Sequence, residues 1–280
     1  MEIAGHCLVK NEARFIWYSV MSVLPSVDRM LIWDTGSTDG TLDVIRKIRD
    51  TKYGEKVVFR EFGEVTKDSF WEARQKMLEA THEDWIMMVD ADEIWWDESI
   101  RKMIAEIKIN GEKLESIVVP TVNLVGDIFH YQEEKAGLYK LAGRKGHLNL
   151  RGINRKIPGL TSAGAHGVWG WVDETEKMIQ DRDATKIKYV EAAYLHASFL
   201  QRAGNAKADN LVPKRAKKLK HELGHNFPRD YFYPEVFFRE KPSIVDSPWE
   251  KMSRSFYTRA LFETPLRKVK RRIWPSKVGY

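Results

Sequence analysis

Three clusters of polar residues in this 280-residue chain could do chemistry, and each follows a short apolar run. Lys10-Asn11-Glu12 follows the run 3–9, Asp34-Thr35-Gly36-Ser37-Thr38-Asp39-Gly40-Thr41 follows 29–33, and Asp90-Ala91-Asp92-Glu93 follows 85–89. Asp90 and Asp92, two apart, can both turn toward one hard cation. Such a cation takes oxygen ligands and bridges to diphosphate oxygens. The plainer alternative is a solvated acidic loop. However, 85–89 is the most apolar strand-like run in the chain. Feeding a buried strand straight into three acids is costly unless they meet a cationic partner. In the second cluster Gly36 and Gly40 allow a tight turn, and Ser37 and Thr38 can cap the next helix. Asp34 can accept from an N–H of a nucleobase, and an Asx turn would use the same carboxylate.

The elements that must position these clusters alternate. Strand patterns are expected at 3–9, 29–33, 56–62, 85–89 and 116–122. Helical spacing falls at 12–24, 41–48, 69–78 and 99–107, with Ser69 and Glu72 in the relation of a capping box. Strand–helix alternation predicts an α/β fold with a mainly parallel sheet flanked by helices. Ligands of such sheets bind beyond the carboxyl ends of the strands, so the three clusters should converge on one crevice. After Val125 glycines, aromatics and histidines mix, which reads as short strands and loops covering one end of the sheet. A further strand is expected at 189–196 and a basic helix at 205–223. Past Asn226, prolines and aromatics obscure any regular pattern.

The order VKNE, DTGSTDGT, FWEARQKML, DWIMMVDADE, over roughly residues 3–105, resembles the family-2 glycosyltransferases of GT-A fold. The stretch NRKIPGLTSAGAHGVWG is similar to that family's acceptor-side segment. The resemblance implies a GT-A domain over 1–200, with a nucleotide-sugar half at 1–125 and an acceptor-side half at 126–200. A basic helical extension at 201–280 would follow. It implies transfer of a sugar from a nucleoside-diphosphate sugar, a UDP-sugar above all, to a carbohydrate or lipid-linked hydroxyl, with inversion and with Mn or Mg. Asp34 would sit by the base, beside Thr35, where many relatives carry a second acid. Asn11, Glu12, Arg74, Asp90 and Ala91 would line the nucleotide-sugar, although Arg74 could instead pair with Glu72 or Glu79. Asp90 and Asp92 match the DxD motif and would hold the metal, with His196 and His166 as further contacts. Relatives often have His-Glu where this chain has His166-Gly167. An inverting transferase needs a general base, and Asp173 and Glu174, after Trp169-Gly170-Trp171, are the expected carboxylates.

Composition limits the alternatives. With 43% hydrophobic and 31% charged residues the chain is that of a globular protein, not a disordered or fibrous one. Its single cysteine, Cys7, excludes an intrachain disulfide framework and reads as a small buried hydrophobe. No run is apolar enough for a spanning helix and no leader pattern opens the sequence, so a cytoplasmic place is expected. The net charge of +6 gathers in the C-terminal third, at 214–221 and 267–272. There Arg267, Lys268, Lys270, Arg271 and Arg272 interleave with apolar residues, which suits an acidic membrane surface; nucleic acid is the rival anionic partner. Within enzymes the rival is a nucleotidyltransferase, which would carry a Gly-rich basic loop where this chain has KNE. Outside enzymes the rival is a GT-A module that only binds.

Overall fold

The computed structural model describes residues 1–66, 68–164, 169–212, 215 and 221–273. The strands are β1 (Ile3–Val9), β2 (Arg29–Asp34), β3 (Val57–Glu61), β4 (Trp85–Met88), β5 (Glu93–Trp95), β6 (Ser116–Val125) and β7 (Asp127–Tyr131). They continue as β8 (Tyr139–Leu141), β9 (Arg144–Gly146), β10 (Leu148–Asn154), β11 (Thr161–Ala163), β12 (Gly170–Val172), β13 (Ile187–Tyr189), β14 (Tyr194–His196) and β15 (His225–Asn226). The helices are α1 (Ile16–Val23), α2 (Thr41–Arg49), α3 (Phe70–Glu79), α4 (Asp97–Asn110), α5 (Ala206–Asn210) and α6 (Arg254–Ile273).

Period-two alternation of buried side chains explains the layers. On one face of the sheet Ile3, Cys7, Val9, Met30, Ile32, Trp85 and Met87 pack against α1, α2 and α4. On the other, Ala4, Leu31 and Trp33 meet Met77 of α3, and Ile86 and Met88 meet Leu78. All four residues of β4 are buried, as a strand covered on both faces must be. The order β3-β2-β1-β4 is parallel, and β10 enters antiparallel between β4 and β6. The chain thus runs outward from β1 to β3 and returns to β1's other side as β4. Strand order reverses between β1 and β4, and the crevice beyond their carboxyl ends is the expected binding place.

Several local expectations change. The predicted strand at 189–196 divides into β13 and β14, both parallel to β6. Ser69 does not close a capping box: its Oγ accepts from Thr66 N (2.9 Å), and α3 has no side-chain cap. The turn into α2 is made by Gly40 at φ 97°, and Asp39, rather than Ser37 or Thr38, accepts from Thr41 N (3.1 Å). Within the predicted basic helix, α5 is capped by Asn205, and residues 213–214 and 216–220 lie outside the described residues. The segment after 226 contains a 20-residue helix, α6, despite Pro265 inside it. Among the described residues, no helix is long and apolar enough to cross a membrane.

His6 of β1 carries a pH-dependent cost. Thr81 gives its hydroxyl proton to Met77 O (2.7 Å), so the imidazole Nε2–H donates to Thr81 Oγ1 (2.7 Å). Burial, helped by Arg74 and Arg29, pulls this histidine down from 6.5 to about 3. Below 6.5 the unfolded chain therefore binds a proton that the fold refuses until about 3. Stability should fall as pH drops through that window, by up to roughly 1.4 kcal/mol per pH unit. Denaturant titrations across the window should show His6→Gln losing most of that slope. An unchanged slope would place its source elsewhere.

Candidate active site

The three clusters do meet. Asp34 ends β2 opposite Val9 of β1, and Asp90 to Glu93 follow β4 on β1's other side. A turn closed by Glu93 N donating to Asp90 O (3.0 Å) makes this strand end irregular, and Ala91 is buried within it. Two ion-paired groups result.

The first group is Asp90 and Glu93 with Arg74 and Arg151. Arg74 Nη2 donates to Asp90 Oδ1 (2.9 Å), and Arg151 Nη2 reaches Asp90 Oδ2 (3.3 Å) and pairs with Glu93. Arg74 takes neither Glu72 nor Glu79. Its guanidinium lies 5.4 Å from the Trp169 ring and 5.7 Å from Phe70. Arg74 Nε and Nη1 are buried and donate to no described residue. Arg151 is aimed by a bulge in β10, where the register against β6 shifts between Leu150 and Gly152. Burial raises the Asp90 carboxyl, but Arg151 and Arg74 outweigh it and hold the group below its ordinary value. Its side chain is 35% exposed, so this carboxylate faces the crevice. Glu93 is fully buried, and burial, only partly offset by Arg151, lifts it to about 7.

The second group is Asp92 and Glu12 with Arg202, Arg215 and His196. Asp92 is buried, pairs with Arg202 and lies 3.4 Å from His196 Nε2. β14 delivers that histidine, because His196 pairs across from Glu93 on one side and Asn123 on the other. Asn123 Oδ1 lies 3.2 Å from His196 Nδ1, which leaves Nε2 turned toward Asp92. Glu12 meets Arg215 and, at 3.4 Å, Arg202. Burial lifts Glu12 to about 7 against the pull of both arginines. Arg215 is also held by the carbonyls of Lys10 (3.0 Å) and Asn11, and by Asp209 (3.1 Å). Residues 202–212 and Arg215 thus lie over the ends of β1 and β4.

The residues expected on the nucleotide side have distinct places. Asn11 sits at φ 54°. It ties three segments together: its N donates to Ser37 Oγ (2.8 Å), its Oδ1 accepts from Thr38 N (2.7 Å), and its Nδ2 donates to Ala208 O (2.9 Å). Thr35 gives its hydroxyl to Val9 O (3.0 Å). Asp34 Oδ2 accepts from Gly36 N (2.8 Å) and Ser37 N (2.9 Å), the Asx turn. Its Oδ1 is buried and accepts from no described residue.

The expected base pair does not join them. Asp173 Oδ1 accepts from Thr175 N (2.9 Å), Thr175 Oγ1 (2.7 Å) and Lys177 N (3.1 Å), and Oδ2 pairs with Arg182. These partners, the Thr175 hydroxyl first, hold its carboxyl far below the usual range. Arg182 also grips Glu115 (2.7 Å), whose carbonyl accepts from Asn154 N, opposite Trp85 at the start of β4. Asp90 lies past the other end of β4, roughly 15 Å along the strand direction. Glu174, exposed, donates its N to Pro158 O (3.0 Å) at the same far edge. β12 explains the discrepancy: Trp169, just before it, touches Arg74, and the strand then carries the chain away from the site. His166 lies outside the described residues.

Residues 8–167 match the model of Glycosyl transferase family 2. A TPR repeat-containing protein of Synechococcus elongatus is 33% identical over 86 residues, 31% of this chain and 19% of that protein. The chain thus spans about a fifth of that relative's length. Among solved structures, S. aureus TarS 1–349 superposes with a TM-score of 0.44 at 13% identity, over 71% of this chain and 61% of that one. Glucosyl-3-phosphoglycerate synthase from Mycobacterium tuberculosis, crystallised with Mn2+, uridine-diphosphate and glucosyl-3-phosphoglycerate, gives 0.45 at 18%, over 78% and 77%.

Proposed function

Because this chain belongs to glycosyl transferase family 2 and has the GT-A fold, we propose that it moves a sugar from a nucleoside-diphosphate donor, a UDP-sugar, to an acceptor hydroxyl with inversion. The observation that carries this reading is the strand end Asp90-Ala91-Asp92 at the point of strand reversal, met by His196 and by three arginines, Arg74, Arg151 and Arg202. In the transfer the acceptor oxygen attacks the anomeric carbon, its proton passes to a base, and the bond to the diphosphate breaks. Negative charge grows on the leaving diphosphate, so cationic groups fixed at the crevice stabilise the transition state. Arg74, with two buried donors that meet no acceptor among the described residues, would take diphosphate oxygens.

A divalent cation fits the donors present. Ligands in adjacent positions on a small cation lie about 3 Å apart, and Asp92 Oδ2 and His196 Nε2 are 3.4 Å apart. Asp90, Asp92 and His196 would hold Mg or Mn, which when bound neutralises charge on the diphosphate. Among the described residues no three His, Cys, Asp or Glu side chains are arranged to hold a metal ion, so Asp90 would have to turn from Arg74 and Arg151 to join Asp92 and His196.

A panel of nucleotide sugars, assayed for donor hydrolysis with and without excess chelator, tests the reading. We expect one donor to release a nucleoside diphosphate, and chelator to stop it. Release of a sugar 1-phosphate, with the nucleoside monophosphate passed to the acceptor, would instead indicate nucleotidyl transfer. No turnover of any donor would favour a binding module, and turnover indifferent to chelator would remove the metal.

A further inference from the structure

Helix α6 has two faces with opposite character. Its inner face is docked: Ala260 and Thr264 are buried, and Leu223 N donates to Thr264 Oγ1 (2.8 Å). On the same side Arg271 pairs with Glu222 and with Glu133 (3.2 Å). Two residues along a helix is about 200° of rotation, so Phe262 and Leu266 lie on the side opposite Ala260 and Thr264. Phe262, Leu266, Val269 and Ile273, spaced four, three and four, continue that side. They are 74%, 71%, 51% and 57% exposed. The result is an apolar stripe about 17 Å long that no described part of the chain covers. Single exposed leucines are ordinary, but a continuous outward stripe marks a contact surface.

The charges beside the stripe indicate what covers it. Glu263 is the only acid in α6, and Arg259 and Arg267 hold it. Of the five cations expected to reach an acidic surface, Arg267 and Arg271 are therefore committed to internal pairs. Lys268, Lys270 and Arg272 have no acidic partner among the described residues. By the helical period, Lys270 lies on one flank of the stripe and Arg272 on the other, both exposed, whereas Lys268 turns toward the docked side. A narrow apolar stripe between basic flanks is complementary to the head-group layer of an anionic bilayer, where apolar side chains enter the acyl boundary and cations meet lipid phosphates.

We propose that α6 seats the protein on an anionic lipid bilayer through Phe262, Leu266, Val269 and Ile273, with Lys270 and Arg272 against the lipid phosphates. The contact is independent of the transfer chemistry, so either reading can fail alone.

Co-sedimentation of the full chain with vesicles tests it. Vesicles of phosphatidylglycerol and phosphatidylcholine should bind the protein at least about tenfold more tightly than phosphatidylcholine alone. Leu266→Glu with Val269→Ser should lower that binding by about tenfold or more. Both side chains are exposed, so the melting temperature should not move. Lys270→Gln with Arg272→Gln should remove most of the preference for anionic vesicles. The proposal is overturned if the first double variant sediments like the wild type, or if the wild type ignores both vesicles. It is equally overturned if the protein sediments as a dimer that Leu266→Glu dissolves without any vesicle binding, since a second copy would then cover the stripe.

Discussion

Asp92→Asn should lower sugar transfer by on the order of a thousandfold and end its response to added Mg or Mn. Asp92 is where the elements of the site converge: β4 supplies it, β14 brings His196 to 3.4 Å, and the segment after β14 brings Arg202 onto the same carboxylate oxygen. The amide keeps the volume, removes the charge and turns one acceptor oxygen into a donor. Arg202 retains Glu12 at 3.4 Å, which keeps the guanidinium from being stranded. The loss of stability should therefore stay near 1–3 kcal/mol, and the variant should remain folded. Turnover at several cation concentrations, beside a melting curve, reads both effects. Wild-type rates with wild-type cation response would remove Asp92 from the machinery, whatever happens to the melting temperature.

The parts of this site that the sequence revealed are those whose signal is local. β4 could be read because four consecutive apolar residues before three acids have few other solutions, and the same holds for Asp34 before its glycine turn. Arg151, Arg202 and Arg215 could not be read. Nothing near them forms a motif, and each reaches its acid through long-range packing: a bulge in β10 for Arg151, and the return of the chain after β14 over the strand ends for Arg202 and Arg215. The three acids after a buried strand did predict cationic partners in kind, since unpaired they would be too costly to bury. Asp173 misled for a geometric reason. It lies close to Trp169 in sequence, but each strand residue advances about 3.3 Å, and β12 runs away from the crevice. α6 was obscured by Pro265 and because its outward stripe serves no core, so its pattern is not that of a packed surface helix.

Asp34→Ala should raise the dissociation constant for the nucleoside diphosphate by about 10- to 100-fold, the worth of a hydrogen bond to a charged acceptor. The rate at saturating donor should change little, because the base is remote from the bond that breaks. The two oxygens of Asp34 have different duties. Oδ2 holds the turn through Gly36 N and Ser37 N, whereas Oδ1 is buried with no acceptor role among the described residues. A buried carboxylate oxygen without a donor is costly, and a nucleobase N–H would supply one. Alanine removes both duties, so Asp34→Asn separates them. If the amide oxygen keeps the two turn bonds, the NH2 group replaces Oδ1 and presents a donor where an acceptor stood. Asn should then lose as much nucleotide affinity as Ala while losing less stability. Calorimetric titration with the nucleoside diphosphate, paired with denaturant melts, reads the two duties apart. Unchanged affinity in both variants, with stability reduced in Ala alone, would mean that Asp34 builds the turn and does not touch the base.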